Sequence, residues 1–303
     1  MTKEQLARLI QEVGLGHLED NIMAAGRPSL RFHLYPTDED AVPVGATKFG
    51  GRPDLPPGVE WPVWQGYPES DRQRYPPGEF ATEDGAQDFL LQLRLEDVAG
   101  YDLDGVLPKT GILYFLCATW KAALGHDDTD RDCWKVLYYD GDLSQLTRRL
   151  PPPEYPAGTG YGNDPLPCCR VEFLPDFVLP DSNDPVTFNP LGIAWDSGSD
   201  ETEYMRYVKL TELSDEPDPR EGLRYSEPRN RLLGLPQIVQ YDRNIRGDYD
   251  PGSGQEWCLL LQLDSDESVG LSWQGAGRGY FYIPVQALAE RNFDAVWVDM
   301  QCT

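Results

Sequence analysis

The sequence predicts an α+β fold, in which a single duplicated β-rich body follows a short N-terminal helical segment. Helical periodicity dominates the start of the chain, whereas many later apolar stretches alternate with the period of two that is typical of strands. In addition, a stretch built around Leu-Gln-Leu occurs twice, at residues 88–97 (DFLLQLRLED) and 257–266 (WCLLLQLDSD). The two copies predict equivalent central strands.

The N-terminal segment, residues 1–28, predicts two helices. Thr2 and Gln5 have the spacing of a capping box. An apolar stripe with helical spacing follows, formed by Leu6, Leu9, Ile10 and Val13. A second short helix is expected at residues 18–25, before a glycine and a proline end it. We expect this pair to pack on the body through its apolar stripe.

The rest of the chain divides into a first repeat at residues 29–150, a Pro/Gly-rich linker at 151–167 and a second repeat at 168–303. The linker is expected because prolines are costly inside a sheet or helix. In the first repeat, strands are expected at 29–35, 88–95, 107–117 and 133–140. In the second, strands are expected at 169–179, 257–266, 279–284 and 295–302, helices at 203–213 and 284–291, and an acidic loop at 212–221.

Three landmarks recur in the same order and predict an internal duplication. They are a Gly-x-Pro turn at 51–53 and 234–236, the Leu-Gln-Leu strand at 91–93 and 261–263, and a Gly-to-aromatic strand at 111–115 and 277–281. The offsets between copies fall from 183 to 170 and 166, so the second copy has shorter loops. The alternative is a coincidence among β-rich segments.

Strand alternation predicts which residues of each copy share a face. The expected core residues are Phe89, Leu91, Leu93 and Leu95 in one copy, and Trp257, Leu259, Leu261 and Leu263 in the other. Gln92 and Gln262 then lie on the opposite face. If that face is covered, each amide needs partners or costs roughly 1–3 kcal/mol. The two glutamines can meet near a pseudo-twofold axis, bind a ligand or point to water.

Two sets of motifs follow one another along the chain. The first half contains KFGGRPDLP with the following EWP, then LLQL and LPKTGILYF. The second half contains LLGLPQIVQ, WCLLLQLDSD, Trp273 ahead of GAGRGYFYIP, and RNFDAVWVDMQ. Together these motifs resemble the two halves of the YwqG-like family of uncharacterised bacterial proteins. The resemblance implies an α+β fold with two intertwined repeats in one globular unit, and it implies no catalytic residues. Some relatives are thought to lie near toxin systems, which by analogy suggests an immunity-type role.

The net charge of −25 and the pI near 4.3 restrict the partners of the protein. Such a chain repels phosphate backbones, so we expect no nucleic acid and no membrane partner. No run approaches the ~18 apolar residues that span a bilayer, and we do not expect the N-terminal stretch to be a signal peptide. The six cysteines form no CxxC motif and are expected to be reduced thiols. These observations predict a cytoplasmic protein. The alternative role for the charge is solubility alone.

Motifs for cofactors and metals are incomplete. The glycines of GAGRG at 275–279 lead into a strand, whereas a dinucleotide-binding loop opens a helix. LDSDESVG and HDDTDRD lack the glycine and the glutamate that an EF-hand requires. Cys117, His126 and Cys133 match no zinc module, and no Gly-x-Ser-x-Gly elbow occurs. We therefore predict no catalytic residues, no metal and no cofactor.

The aromatic residues near the repeat landmarks are the better candidates for binding. The candidate binding residues are Gln92, Gln262, Trp273, Arg278 and Tyr280. An arginine beside aromatic rings is a common interaction anchor. The alternative for Arg278 is a surface turn or a salt bridge with a local carboxylate such as Asp264.

Charge, duplication and missing catalytic motifs lead to one functional hypothesis. The protein is expected to be a cytoplasmic, non-enzymatic binding protein, an immunity-type partner of a basic toxin or effector. The alternative is a small-ligand binder or an enzyme with a site between the two repeats, near Gln92, Gln262 and Arg278.

Overall fold

The computed structural model describes residues 1–67, 84–101, 104–119, 125, 128–153, 165–183, 188–194, 196, 198–199, 201–215, 228–240 and 256–302. The helices are α1 (Lys3–Glu12), α2 (Glu19–Ala25), α3 (Glu203–Asp215) and α4 (Val285–Ala289). The predicted capping box of α1 is confirmed, because Thr2 and Gln5 each accept the other's backbone N–H. Helix α3 continues through residues 212–215, where the sequence had predicted the start of a loop.

The largest element of the described structure is a single sheet. The strands are β1 (Arg27–Pro36), β2 (Lys48–Phe49), β3 (Asp54–Leu55), β4 (Val63–Trp64), β5 (Gly85–Ala86), β6 (Asp88–Arg94), β7 (Ile112–Cys117), β8 (Trp134–Tyr139), β9 (Thr147–Arg148), β10 (Cys169–Val178), β11 (Arg231–Leu232), β12 (Trp257–Asp264), β13 (Arg278–Pro284) and β14 (Trp297–Gln301). Ten of them form one antiparallel sheet in the order β14-β13-β12-β11-β1-β10-β2-β6-β7-β8. Two small ribbons, β3–β9 and β4–β5, lie outside it.

The sheet is nearly closed, because its two edge strands approach each other through side chains. The rings of Trp134 in β8 and Trp297 in β14 lie 4.7 Å apart in an edge-to-face contact. Trp134 Nε1 also donates to the carbonyl of Val296 at 2.9 Å. Inside the curl, the rings of Phe115 and Phe281 meet at 5.4 Å. The main core is therefore shared by residues from both halves of the chain.

The predicted four-residue apolar face is wrong at Phe89 in β6 and at Leu259 in β12, and Trp257 of β12 packs against both the outer cluster and the main core. The pairing register shifts between Phe89 and Leu91 in β6, and at the corresponding place, between Leu259 and Leu261, in β12. A β-bulge adds one residue to a strand and so reverses the alternation beyond it. As a result Phe89 and Leu259 lie in the outer apolar clusters, while the residue after each joins the main core.

Helices α1, α2 and α3 pack together at one end of the central strands β1 and β10. Their apolar cluster includes Leu6, Ile10, Ile22, Phe177, Tyr204, Tyr207 and Leu210. The expected packing of the N-terminal helices on the body is thus confirmed, with Leu6 and Ile10 fully buried. All six cysteines lie within the described ranges and are free thiols. The helices of the described segments are too short or too polar to cross a bilayer.

Candidate functional site

Gln92 holds a loop against the outer face of the sheet. The side chain of Gln92 is fully buried. Its Oε1 accepts the backbone N–H of Asp54 at 2.8 Å, and its Nε2 donates to the carbonyl of Ala46 at 2.8 Å and to Asp54 Oδ2 at 3.1 Å. The hydroxyl of Tyr114, on neighbouring β7, donates to the carbonyl of Asp54 at 2.7 Å. We call Lys48, Asp54, Gln92, Tyr114 and Arg148 the first clamp.

The first clamp is built around a buried carboxylate. Asp54 Oδ1 accepts from Arg148 Nε at 2.9 Å, and Oδ2 accepts from the N–H of Gly45 at 3.0 Å. The ammonium of Lys48 lies 3.3 Å from Oδ2. Burial by itself raises the pKa of Asp54, but the Arg148, Gly45, Gln92 and Lys48 contacts outweigh it and hold that pKa below its ordinary value. The carboxylate is therefore ionised and fully engaged.

Lys48 is the buried cation of the first clamp. Its Nζ donates to the carbonyl of Arg52 at 2.6 Å and lies 3.6 Å from Glu39 Oε1. Burial lowers the pKa of Lys48, and the attraction of Asp54 only partly opposes that effect. Because the residue has no exposed surface, its ammonium stabilises the Gly-x-Pro loop and is not available to solvent.

The same contacts recur in the second half of the chain. Gln262 Oε1 accepts the N–H of Gln237 at 3.0 Å, and its Nε2 donates to the carbonyl of Arg229 at 2.8 Å. The hydroxyl of Tyr280 donates to the carbonyl of Gln237 at 2.5 Å. Arg231 donates to Gln237 Oε1 at 2.9 Å. We call Arg231, Gln237, Gln262, Tyr280 and Arg278 the second clamp.

The two clamps differ in charge. Where the first has Asp54, the second has the neutral amide of Gln237. Arg278 adds a cation, since its Nη1 donates to the carbonyl of Gln237 at 2.7 Å and its Nε lies 2.5 Å from Asp264 Oδ1. Burial lowers the pKa of Arg278, but Tyr280 and Asp264 reverse that effect and raise it. The ion pair with Asp264 is the alternative that the sequence had left open for Arg278.

The structure brings together only some of the predicted binding residues. Gln262, Arg278 and Tyr280 meet in the second clamp. Gln92 is separated from Gln262 by four intervening strands, about 24 Å along the sheet at the usual strand spacing. Neither glutamine meets the other, and neither points to water, because both are fully buried.

Trp273 belongs to the main core rather than to the second clamp. Its ring packs on Gly279, where an added Cβ would lie 2.5 Å from a ring carbon. Gly279→Ala is therefore expected to lower the free energy of unfolding by about 1–3 kcal/mol through overpacking. Urea denaturation measures this change. Gly100→Ala is the matched control, because an added Cβ there meets nothing within 4 Å. Equal effects of the two substitutions would contradict the tight packing.

Sequence reasoning missed most of the charged residues of the clamps. Lys48 and Arg231 did carry a signal, since each stands three residues before the glycine of a Gly-x-Pro turn. Arg148 carried none, because it reaches Asp54 across 94 positions of sequence. Asp54 directly follows the Gly-x-Pro turn at 51–53, but it is one of 51 acidic residues and its burial carried no signal in the sequence.

The candidate metal motifs have other roles where the structure describes them. Asp266 Oδ1 accepts the N–H of Ser268 at 2.9 Å and so closes a turn. Cys117 and Cys133 are buried in the main core, and His126 lies outside the described residues. Within the described ranges, no three His, Cys, Asp or Glu side chains are grouped as metal ligands.

Comparison with known proteins gives a family. The sequence model of a domain of unknown function, DUF1963, matches residues 47–302. No curated protein matches the chain. The match supports an uncharacterised family, while the narrower YwqG-like resemblance stays a prediction.

Proposed function

This chain belongs to the family of DUF1963 domains, and we propose that it is a cytoplasmic, non-enzymatic binding protein whose acidic surface takes a basic protein partner. An immunity-type role against a basic toxin is the narrower form of the proposal. That form rests on the YwqG-like resemblance.

The distribution of charge carries this proposal. Among the residues that the structure describes, 22 Asp and Glu side chains are exposed, against nine Lys and Arg. Several cations are instead turned inward, including Lys48, Arg148, Arg231 and Arg278 in the clamps. A negative exterior of this kind speeds the approach of a basic partner and disfavours acidic ones.

The clamps favour binding over catalysis. Lys48 and Asp54 are the groups that could serve as base or nucleophile, but both are fully buried and bonded to loop atoms. A site between the repeats near Gln92, Gln262 and Arg278 is less favoured, because the two glutamines lie in separate clamps. The proposed role of the clamps is to fix the loops that form the surface.

We also propose that the body arose by duplication of an intertwined unit. The strand order β2-β6-β7-β8 on one side of the central pair matches β11-β12-β13-β14 on the other. β1 precedes the first set in sequence but pairs with β11, and β10 precedes the second set but pairs with β2. The matching bulges and clamps support the same origin. The expected boundaries remain 29–150 and 168–303.

Capture of a partner from native lysate at low ionic strength tests the proposed function. The expected partner is a basic protein whose affinity falls as salt is raised, because screening weakens exposed charges. Recovery of no partner at low ionic strength, or of a partner whose binding ignores salt, would overturn the proposal.

A charge-matched pair of variants then tests the interface with the purified partner. Glu96 and Asp140 both lie close to Tyr138, because the negative charge of each adds to the effect of burial and raises the pKa of that tyrosine. Glu96→Gln with Asp140→Asn removes two charges at that end, and Glu4→Gln with Glu12→Gln removes two from α1. A partner that docks on an acidic face is expected to lose affinity in one double variant more than in the other. Equal losses would indicate a diffuse attraction without a docking face.

A further inference from the structure

Asp88 lies at one end of the curled sheet, where β6 begins and β7 ends. It pairs with Cys117 of β7, which pairs in turn with Trp134 of β8. Side chains directly opposite each other on neighbouring strands share a face, and Cys117 and Trp134 both belong to the main core. The Asp88 carboxylate therefore lies on the inner face of the sheet. Because the residue is only half-buried, solvent still reaches it.

The Asp88 carboxylate has hydrogen-bond donors but no cation. Thr119 donates both its hydroxyl and its backbone N–H to it. Among the described residues, no charged side chain contributes to the pKa of Asp88, so burial dominates and raises that pKa to about 6. Three other deep carboxylates each have a cation: Asp54 lies 3.3 Å from Lys48, Asp176 lies 3.2 Å from Arg31, and Asp264 lies 2.5 Å from Arg278.

The turn that precedes β8 does not supply the missing charge. The guanidinium of Arg131 lies over the ring of Trp297, 5.6 Å from its centre. Asp132, one residue further on, is exposed and has the same sign of charge as Asp88. The described neighbours of Asp88 therefore leave its ionised form without an ion pair.

The second half of the chain shows that the fold does not need a carboxylate at this position. Asp88 pairs with Cys117 immediately before the bulge of β6, and Cys258 pairs with Ile283 immediately before the matching bulge of β12. Cys258 is a free thiol, and its Sγ donates to the carbonyl of Ile283 at 3.5 Å. A neutral side chain thus occupies the equivalent position. An ionisable group that is buried without a structural need is typical of a functional site.

We infer that Asp88, supported by Thr119, binds the ammonium group of a ligand at this end of the sheet, either a lysine side chain or a free amine. An ammonium supplies the positive charge that the carboxylate lacks. Since Asp88 Oδ2 already accepts the Thr119 hydroxyl, a single charged donor suits the site better than the parallel pair of a guanidinium. A metal ion suits it less, because no three metal-ligating side chains are grouped within the described ranges.

Calorimetric titration of the full chain tests the site, with tetralysine and spermidine as probes at constant ionic strength and pH 7.5. We expect saturable binding of at least one probe. Asp88→Asn is expected to weaken it at least tenfold, and this variant should fold because it removes an unpaired buried charge. Asp84→Asn is the matched control and should change the affinity less than twofold, since it removes the same charge from an exposed position. Binding of tetralysine alone would identify a lysine side chain, and tighter binding of spermidine a free amine.

The pH dependence gives a second measurement. An ammonium binds the ionised carboxylate, so lowering the pH from 7.5 to 5 should weaken probe binding by the parent about tenfold and leave Asp88→Asn nearly unchanged. Binding of neither probe, equal affinities of the parent and Asp88→Asn, or the same pH dependence in both would overturn the inference. The titration uses purified components, so its result is separate from the partner capture described above.

Discussion

Replacing Asp54 by leucine is expected to lower the free energy of unfolding by about 3–5 kcal/mol, because it leaves two cations of the first clamp without their carboxylate. Lys48 lies 3.3 Å from Asp54, and Arg148 donates to it at 2.9 Å. Both would stay inside the protein without that carboxylate, although Lys48 would keep Glu39 at 3.6 Å. Urea denaturation near neutral pH measures the loss.

The second clamp supplies the matched control. Gln237 occupies the position of Asp54 but is neutral, so Gln237→Leu is expected to cost only about 1–3 kcal/mol, the range for lost hydrogen bonds. Equal losses of stability in the two variants would mean that the charge of Asp54 adds nothing to its hydrogen bonds.

The difference in stability loss between Asp54→Leu and Gln237→Leu should also depend on pH. The pKa of Asp54 is lowered in the folded protein, so its contribution is present above the ordinary carboxyl pKa and is lost as the pH falls through the folded value.

Asp88→Asn is expected to stabilise the protein near neutral pH, by up to about 3 kcal/mol at 1.36 kcal/mol for each pH unit. Burial raises the pKa of Asp88 to about 6, and its hydrogen bonds with Thr119 only partly oppose this. Between the ordinary pKa of 3.8 and about 6, the folded protein holds a proton that the unfolded chain has released. Stability therefore falls as the pH rises through this window, and asparagine removes the cost.

The pH dependence distinguishes this effect from a simple change in packing. The advantage of Asp88→Asn over the parent should be near zero at pH 3 and should reach its full size above pH 6. The asparagine carbonyl can still accept from the Thr119 hydroxyl, so that contact is kept. Asp84→Asn serves as a control, since Asp84 is exposed. An advantage that is the same at every pH would refute the explanation.

Local patterns in the sequence predicted the elements well where the physics is local. The capping box of α1 depends on two residues three positions apart, and it is present in the structure. The Leu-Gln-Leu strands follow from alternation, and both glutamines do face away from the main core. The β-bulge was not predictable in the same way. Consecutive leucines are apolar on both faces of a strand, so they do not show where the alternation reverses.

The candidate site was predicted only in part for a related reason. Tyr280 and Arg278 were named from their aromatic and glycine-rich surroundings, which are local. Their joint contact with the carbonyl of Gln237 depends on a loop about 40 residues away. The juxtaposition of Arg31 and Arg231 spans 200 positions and exists only through the pairing of β1 with β11.

The sequence by itself determined the strand-rich character of this protein, its N-terminal helices, its negative charge and the repeated landmarks. These properties follow from composition and from periods of two and 3.6 residues. Only the tertiary structure decided that the glutamines hold separate loops and that basic side chains turn inward. The physical reason is that burial and ion pairing depend on which strands become neighbours, and strand order is set by contacts over the whole chain.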